Sequence, residues 1–396
     1  MSRNKVYVVI LVTVVLIASI SVVCLTNKSR QSDSPENGST QNTVTVVDLA
    51  NRTVTLDVPV ETVVLGSPEL VNAFVAVTGD DFASQIVGVS NMFKLMYFDI
   101  YEVYTSEHPE FADIIQVGSC YDGSFSVETI VSLNPDVLLL PVWAITMDMV
   151  PDLNALDAAG IPYMFLDFYV DPYDGYSYTQ STSLIGTLVG KEERAENIVN
   201  FYNEQLDAVF DVLNSLNTSY PTPTVYLEYP DAGTSNYGQT MVDMGMSVPL
   251  TYARAYNIAR DAIGGYGGTI NGEFLLDTNP DVIMFCVART LSSSGGDLVG
   301  FGAYPSTDEV QTIVSAYLER DGWDTLDAVK NEKVYFWCSE VGFSINSFSV
   351  LQYMAKWIYP ELFTTLDPLQ NLQDFYTEFM PIPLDGTWTF SSEVLG

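Results

Sequence analysis

The sequence predicts an α/β fold of two lobes, each with a mainly parallel sheet, joined by one long α-helix and separated by a ligand cleft. Three observations predict this fold. Strand-like apolar runs alternate with segments of helical periodicity, as they do in βαβ units. One segment pattern occurs twice, at residues 126–140 and 271–285. An amphipathic stretch at residues 191–216 lies between the two copies and is long enough to connect two lobes.

The repeated segment reads SVETIVSLNPDVLLL in the first copy and NGEFLLDTNPDVIMF in the second. Each copy has a glutamate, an apolar helical turn and then Asn-Pro-Asp-Val, at 134–137 and at 279–282. Proline disfavours helix at the residue before it, and the apolar run that follows is typical of a parallel strand buried on both faces. Two copies about 145 residues apart therefore predict two lobes of similar construction.

The N-terminus precedes both lobes. Residues 6–27 carry no charge between Lys5 and Lys28, and this length is sufficient for a membrane-spanning helix. The segment 1–27 is therefore expected to be a signal peptide or a membrane anchor. Cys24 resembles a lipoprotein cysteine, although Val23 replaces the usual small residue before it. Retention, lipidation at Cys24 and simple cleavage stay open, and each places the lobes outside the cytoplasm. The expected location is the cell surface, with attachment to the membrane through the N-terminus.

The elements of the lobes follow in order. A polar stretch at 28–43 is expected to be a flexible tether. The N-terminal lobe, 44–190, is predicted to have strands at 62–65, 85–89, 136–140 and 163–166. The interlobe helix, 191–216, begins with two glutamates, which suit the positive end of a helix dipole. The C-terminal lobe, 217–396, is predicted to have strands at 224–228, 281–287 and 333–337, and closing helices at 344–359 and 372–379.

The order of several motifs resembles the extracytoplasmic binding proteins of ABC importers for iron-siderophores, haem and cobalamin. Ser67-Pro68-Glu69 follows the first core strand, Gly160-Ile161-Pro162 precedes a later one, and NEKVYF at 331–336 contains the last. With the hairpin expected at 44–65, the resemblance covers roughly residues 44–380. It implies a monomer without a cofactor that captures a ligand between its lobes and delivers it to a membrane permease and its ATPase.

The resemblance also implies a role for one glutamate in each lobe. In the resembled family, a glutamate at this place meets arginines of the permease. The matching offset to Asn-Pro-Asp-Val assigns that role to Glu128 and Glu273. The alternative is that each glutamate only stabilises the start of its helix through the helix dipole.

The charge composition excludes some functions. The chain has 15 basic and 50 acidic residues and a formal net charge of −35, which argues against nucleic-acid binding because that requires basic groups. The acidity fits either solubility or a cationic partner. A single histidine, His108, excludes the multi-histidine zinc or manganese sites of a related group of binding proteins.

Candidate ligand-binding residues follow the predicted strands, because ligands of open α/β sheets bind beyond the carboxyl ends of the strands. The candidates are Ser67, Asn91, Lys94, Tyr121, Trp143, Tyr169, Tyr229, Arg254, Arg289 and Trp337. Aromatic faces together with arginine suit a bulky, flat or anionic metal chelate, such as a ferric siderophore, haem or corrinoid. The alternative is that most of these rings pack loops.

Other chemistry has little support in the sequence. Cys120, Cys286 and Cys338 are expected to be buried free thiols, with a disulfide between Cys286 and Cys338 left open. The glycine-rich run at 264–272 lacks the spacing of a phosphate loop, and no Gly-x-Ser-x-Gly or HExxH motif is present. The leading hypothesis is a non-enzymatic binding subunit. The alternatives are an extracellular carbohydrate-active hydrolase and a ligand-sensing receptor of the same fold without transport.

Overall fold

The structure, a computed structural model, describes residues 42–287 and 301–395. The predicted anchor with Cys24, most of the tether, and Arg289 lie outside the described residues. Among the residues described, no helix is long and apolar enough to cross a membrane.

The N-terminal lobe contains a hairpin and a parallel sheet. The hairpin pairs β1 (Asn42–Val47) with β2 (Thr53–Val58). The sheet strands are β3 (Val63–Leu65), β4 (Ile86–Val89), β5 (Ile115–Gln116), β6 (Val137–Pro141) and β7 (Tyr163–Leu166). They lie in the order β5-β4-β3-β6-β7, and every neighbouring pair is parallel. All five carboxyl ends therefore meet at one edge of the sheet.

Helices connect these strands. They are α1 (Glu69–Thr78), α2 (Phe82–Gln85), α3 (Asn91–Met96), α4 (Phe98–Glu107), α5 (Val127–Leu133), α6 (Trp143–Thr146), α7 (Leu153–Ala159) and α8 (Ser177–Val189). Every residue of α1 is buried, and the helix begins four residues after β3 ends. Its first residue, Glu69, is thereby held at the carboxyl edge of the sheet.

A single helix of 24 residues, α9 (Glu192–Ser215), runs between the lobes. At 1.5 Å per residue its length is about 36 Å. One face is buried, and it consists of Ala195, Ile198, Tyr202, Leu206, Val209 and Leu213. This spacing of three or four residues is that of an amphipathic helix against a core.

The C-terminal lobe has a five-stranded sheet and a two-stranded ribbon. Its strands are β8 (Thr224–Glu228), β9 (Thr240–Met241), β10 (Tyr256–Asn257), β11 (Gly267–Gly268), β12 (Val282–Val287), β13 (Val334–Cys338) and β14 (Thr389–Ser391). The sheet order is β10-β8-β12-β13-β14, with β14 antiparallel at the edge, and β9 pairs with β11. The glycine-rich run at 264–272 thus contains β11.

The helices of this lobe complete the fold. They are α10 (Val248–Tyr252), α11 (Ala259–Ala262), α12 (Gly272–Thr278), α13 (Thr307–Leu318), α14 (Asp327–Lys330), α15 (Phe348–Ile358) and α16 (Pro368–Phe379). Of these, α15 packs against α9 and α16, and is buried on most of its surface. This packing ties the interlobe helix to the C-terminal lobe.

The repeated Asn-Pro-Asp-Val has the same geometry in both lobes. Asn134 and Asn279 end α5 and α12 in the left-handed conformation, at φ 46° and 47°. The aspartate after the proline then accepts hydrogen bonds at the start of the neighbouring parallel strand. Asp136 accepts from the Thr62 N–H at 2.8 Å, and Asp281 accepts from the Thr224 N–H at 2.7 Å. The repeat therefore ends a helix and aligns two strands.

The lobes are also linked by direct contacts. One continuous hydrophobic core includes residues of both lobes and of α9. The Tyr252 hydroxyl donates to Asp171 Oδ2 at 2.8 Å, and the Tyr173 hydroxyl donates to the Ser347 carbonyl at 2.9 Å. The Ile100 N–H, near the start of α4, donates to Glu340 Oε2 at 2.9 Å. The interface therefore contains more than the connecting helix.

Candidate functional site

A cavity of about 210 Å³ lies between the two lobes. The N-terminal lobe contributes Glu69, Met96, Tyr97 and Tyr169, and the C-terminal lobe contributes Tyr229, Met241, Met246, Cys286, Ser339 and Phe343. Most of these residues follow or end the strands β3, β7, β8, β12 and β13. The cavity thus occupies the position where open α/β sheets bind ligands.

Glu69 is the charged residue of this lining. It is 3% exposed, and its carboxylate accepts hydrogen bonds from the Tyr121 hydroxyl at 3.2 Å and from the Ser67 hydroxyl. Burial raises the pKa of the Glu69 carboxyl to about 7, although its backbone N–H and Tyr121 favour the ionised form and oppose the shift. Trp143 Nε1 also lies near enough to lower this pKa, but its geometry is not that of a hydrogen bond.

Aromatic rings and sulfur atoms form most of the remaining wall. Tyr169 stacks on Phe343 across the interface, with ring centroids 5.3 Å apart. Burial raises the pKa of the Tyr169 phenol to about 12 and raises the pKa values of Tyr97 and Cys286 well above their usual values. These phenols and this thiol are therefore neutral at physiological pH. Within the described part of the chain, Glu69 is the one lining group that titrates near neutrality.

The three described cysteines are free and buried. Cys286 and Cys338 lie on the paired strands β12 and β13 but do not form a disulfide. The expectation of free thiols is correct for these residues. Cys286 contributes its side chain to the cavity.

Comparisons with known proteins identify the family. The sequence profile described as "Periplasmic binding protein" matches residues 63–341, most of the chain. The chain belongs to this family. It is an extracytoplasmic solute-binding protein of an ABC transporter, a binding protein rather than an enzyme, and its family implies a permease as partner.

Individual relatives agree with this assignment. The crystal structure of the TroA-like periplasmic binding protein FepB from Veillonella parvula is 33% identical, with a TM-score of 0.80, and covers 88% of this chain and 99% of FepB. The molybdate-binding protein MolA of Haemophilus influenzae is 23% identical over 357 residues, 84% of this chain and 90% of MolA. The substrate-binding lipoprotein YvrC of Bacillus subtilis is 24% identical over 325 residues, 81% of this chain and 86% of YvrC.

Five of the predicted ligand residues of this periplasmic binding protein lie at or beside the cavity. Tyr169 and Tyr229 line it, while Ser67 and Tyr121 donate to Glu69. Trp143 packs against Tyr121, with ring centroids 4.3 Å apart. Their contact with a ligand stays a prediction.

Two of the cations expected at the site contact other parts of the protein. Arg254 donates to the carbonyls of Leu213 at 2.7 Å and Leu216 at 3.1 Å, at the carboxyl end of α9, and does not line the cavity. The unpaired carbonyls of a helix end attract such a guanidinium. Lys94 lies over the Tyr101 ring, with Nζ 5.0 Å from its centroid. Arg289 lies outside the described residues, so its role stays a prediction.

Two further candidates are also placed elsewhere. Trp337 is 1% exposed and belongs to the hydrophobic core, where its ring packs closely against the backbone of Gly342. Asn91 lies near Asp122, whose pKa it helps to lower, and does not line the cavity. Asn91 follows β4, whereas Trp337 lies within β13.

Sequence reasoning missed much of the lining. Glu69, Met96, Tyr97, Met241, Met246, Ser339 and Phe343 were not among the candidates. Glu69 had a usable signal, because it immediately follows the Ser-Pro pair after the first core strand. The methionines had none, since a methionine of a cavity and a methionine of a core look alike in sequence.

The two glutamates of the repeat occupy equivalent, exposed positions. Glu128 is the second residue of α5, after the N-cap Ser126, and Glu273 is the second residue of α12, after the N-cap Asn271. Glu273 also borders an open surface depression. Both carboxylates are therefore available to a partner.

Proposed function

We propose that this periplasmic binding protein captures its solute in the interlobe cavity and releases it to a permease that docks on both lobes. The observation that supports this most is a cavity to which both lobes contribute at the carboxyl edges of their sheets. A solute held there contacts both lobes at once, so its presence can influence their relative position. A ligand-sensing receptor would use the same cavity but would not deliver its ligand.

The ligand class that we carry forward is a metal chelate, such as a ferric siderophore, haem or corrinoid. Four aromatic rings and three methionines supply an apolar surface for such a molecule. The cavity volume of about 210 Å³ is below the roughly 300–1,000 Å³ of sites for drug-sized ligands. A large chelate would therefore extend out of the cavity or require the lobes to separate.

Ligand titration tests this part of the proposal. Ferric siderophores, haemin, cobalamins and molybdate would each be added while tryptophan fluorescence is recorded. Trp143 is a suitable reporter because it packs on Tyr121, which hydrogen-bonds Glu69. We expect saturable quenching by one member of the panel at one site per chain. If no member of the panel changes the fluorescence and the protein hydrolyses a glycan, the carbohydrate-active hydrolase would instead be favoured.

Glu128 and Glu273 are proposed as the docking residues for the permease. Glu128→Arg and Glu273→Arg should each weaken association with the permease and reduce uptake, and the double variant should do so more strongly, because exposed charges steer and align partners. Ligand affinity and thermal stability should change little. Association would be measured with the permease and its ATPase in detergent, and uptake in cells.

Glu193→Arg provides the matched control. Glu193 is also an exposed glutamate in the first turn of a helix, so the control removes a comparable interaction with the helix dipole. Its association and uptake should equal those of the unmodified protein. Normal uptake by the double variant would contradict the docking role, and equal losses in the control would indicate a general charge effect.

Membrane attachment through the N-terminus belongs to the same proposal. The relative YvrC is a lipoprotein, and Cys24 occupies a position that suits lipidation. Cys24→Ser should release a lipidated protein from the membrane fraction and leave a retained transmembrane anchor in place. If the unmodified protein and the Cys24→Ser variant are both found in the soluble fraction, the N-terminal segment is simply cleaved.

A further inference from the structure

We infer that the ligand group that enters the cavity is positively charged, as in an alkylammonium ion. This inference rests on the proposed binding of a solute in the cavity and specifies its charge and shape. It narrows the ligand to a molecule that presents a compact organic cation.

The charge of the lining is the first argument. Glu69 is the carboxylate of the wall, and no described lysine, arginine or histidine lines the cavity. Tyr121 and Ser67 already donate to the Glu69 carboxylate, which stabilises its ionised form. A carboxylate has about four acceptor sites, so these two donors leave room for a ligand cation. A buried anion such as an oxyanion would face Glu69 without a compensating cation among the described residues.

The shape of the wall is the second argument. The rings of Tyr97, Tyr169, Tyr229 and Phe343 come from both lobes and surround the cavity beside Glu69. The face of an aromatic ring attracts cations, and ring cages bind quaternary ammonium groups in this way. The thioethers of Met96, Met241 and Met246 add polarisable contacts for alkyl groups. The volume of about 210 Å³ suits a small group better than a tetrapyrrole.

A bare metal ion fits this wall less well than an organic cation. Among the described residues, no group of three histidine, cysteine, aspartate or glutamate side chains could hold a metal ion. Tyrosine or cysteine ligation would require loss of a proton, and burial disfavours that loss at Tyr97 and Cys286. An alkylammonium ion needs no deprotonated phenol or thiol.

A pair of probes of equal shape tests the charge. Calorimetric titration of the full chain at pH 8 would compare choline with 3,3-dimethylbutan-1-ol, in which an uncharged carbon replaces the ammonium nitrogen. We expect choline to bind at least about tenfold more tightly, which is the effect of a desolvated charge-assisted contact. Glu69→Gln should reduce this preference to less than about threefold. Asp122→Asn, which removes an exposed charge near Tyr121, should leave the preference unchanged.

A second variant guards against misfolding of Glu69→Gln. Phe343→Leu keeps an apolar side chain but removes one ring of the wall, and it should lower the choline preference several-fold while thermal melting confirms a folded chain. Equal binding of the two probes would overturn the inference, as would failure of choline to bind. If haemin or molybdate binds and Glu69→Gln does not change its affinity, the inference of a cationic ligand is overturned. The proposed binding of a solute in the cavity would still be supported. If none of these probes binds and the protein does not associate with the permease, the proposed function itself is contradicted.

Discussion

Glu69 illustrates how one residue determines the chemistry of the site. Its position at the start of a fully buried helix places a carboxylate where water is excluded. The helix start and two hydroxyl donors favour the ionised form, while burial favours the neutral form. Burial is the larger effect, so the pKa of the carboxyl rises to about 7 and the group titrates within the physiological range. Neighbouring groups that face it include Asp167, Tyr97 and Tyr169.

The raised pKa of Glu69 predicts a particular pH dependence of stability. The pKa rises from 4.5 to about 7 on folding, so the folded state holds the proton more tightly. Its contribution to stability is present below pH 4.5 and is lost as the pH rises to about 7, by about 3 kcal/mol at most. The free energy of unfolding would be measured by denaturant titration from pH 5 to 8. As the pH rises, it should fall more for the unmodified protein than for Glu69→Gln. If the difference in unfolding free energy between the unmodified protein and Glu69→Gln does not vary with pH, this account is contradicted.

At the scale of elements, the sequence repeat predicts geometry as well as position. The predicted strands agree with the observed ones to within one residue at each end, since buried apolar runs bounded by Asn-Pro-Asp are clear signals. The role of Asn134 and Asn279 as left-handed helix ends was not predicted, because the proline beside them was taken as the terminator. Asparagine adopts the left-handed conformation more readily than other residues with a side chain.

The two asparagines should respond differently to glycine. Asn134→Ala should lower the free energy of unfolding by about 1 kcal/mol, because alanine resists the left-handed conformation. Asn279→Ala should lower it by about 2 kcal/mol, because the side-chain hydrogen bonds to Asp327 are lost as well. Asn134→Gly should be nearly neutral. Asn279→Gly should cost about 1 kcal/mol more, because the Asn279 side chain exchanges hydrogen bonds of 2.8 and 2.9 Å with Asp327. Chemical denaturation of the four variants would measure this, and equal effects of glycine at both positions would contradict it.

At the end of α9, Arg254 makes contacts that the sequence did not predict. An arginine in a loop after a strand predicts ligand contact and helix capping equally well, and the choice depends on tertiary structure. Here the guanidinium reaches the carbonyls of Leu213, Leu216 and Asn217. The residue therefore stabilises the interlobe helix.

Arg254→Ala should weaken the helix end without affecting the ligand. We expect the free energy of unfolding to fall by about 1–3 kcal/mol, because charge-assisted hydrogen bonds are lost. The matched control is Arg260→Ala in the same lobe, which removes a surface ion pair with Asp243 and should cost under about 1 kcal/mol. Thermal melting and ligand titration would be run on both variants. If Arg254→Ala weakens ligand binding and Arg260→Ala does not, Arg254 contributes to the ligand site.

At the scale of the molecule, the fold was more predictable than the cavity. The positions of the core strands and of the connecting helix follow from local patterns, and the carboxyl edges follow from the parallel sheets. The cavity wall does not, because Met241, Met246 and Phe343 lie in a two-residue strand, a single 3-10 turn and a loop, which are too short to have a sequence pattern of their own. Ten candidates chosen by position after strands therefore included five that approach the site and others that pack into the protein.

The same interlobe packing predicts limited motion on ligand binding. A stiff helix joins the lobes, one hydrophobic core spans them, and hydrogen bonds such as Tyr252 to Asp171 cross the interface. Wide separation would expose that core and break these bonds. We therefore expect a rearrangement of about 2 Å or less, as in other pre-organised complexes.

Spin labels in the two repeats would measure this motion. Ser132 and Asp277 are exposed, lie in α5 and α12, and occupy equivalent places, so Ser132→Cys and Asp277→Cys report one distance between the lobes. The native thiols Cys120, Cys286 and Cys338 are buried, and a Cys24→Ser background removes the remaining cysteine. The distance distribution should shift by about 2 Å or less when choline or haemin binds.

A shift well above this value would show hinge closure, and would mean that the cavity of about 210 Å³ belongs to one of two distinct lobe arrangements. A small shift would instead mean that the permease distinguishes the loaded protein through local changes at the cavity rim, because Glu128 and Glu273 would keep their spacing.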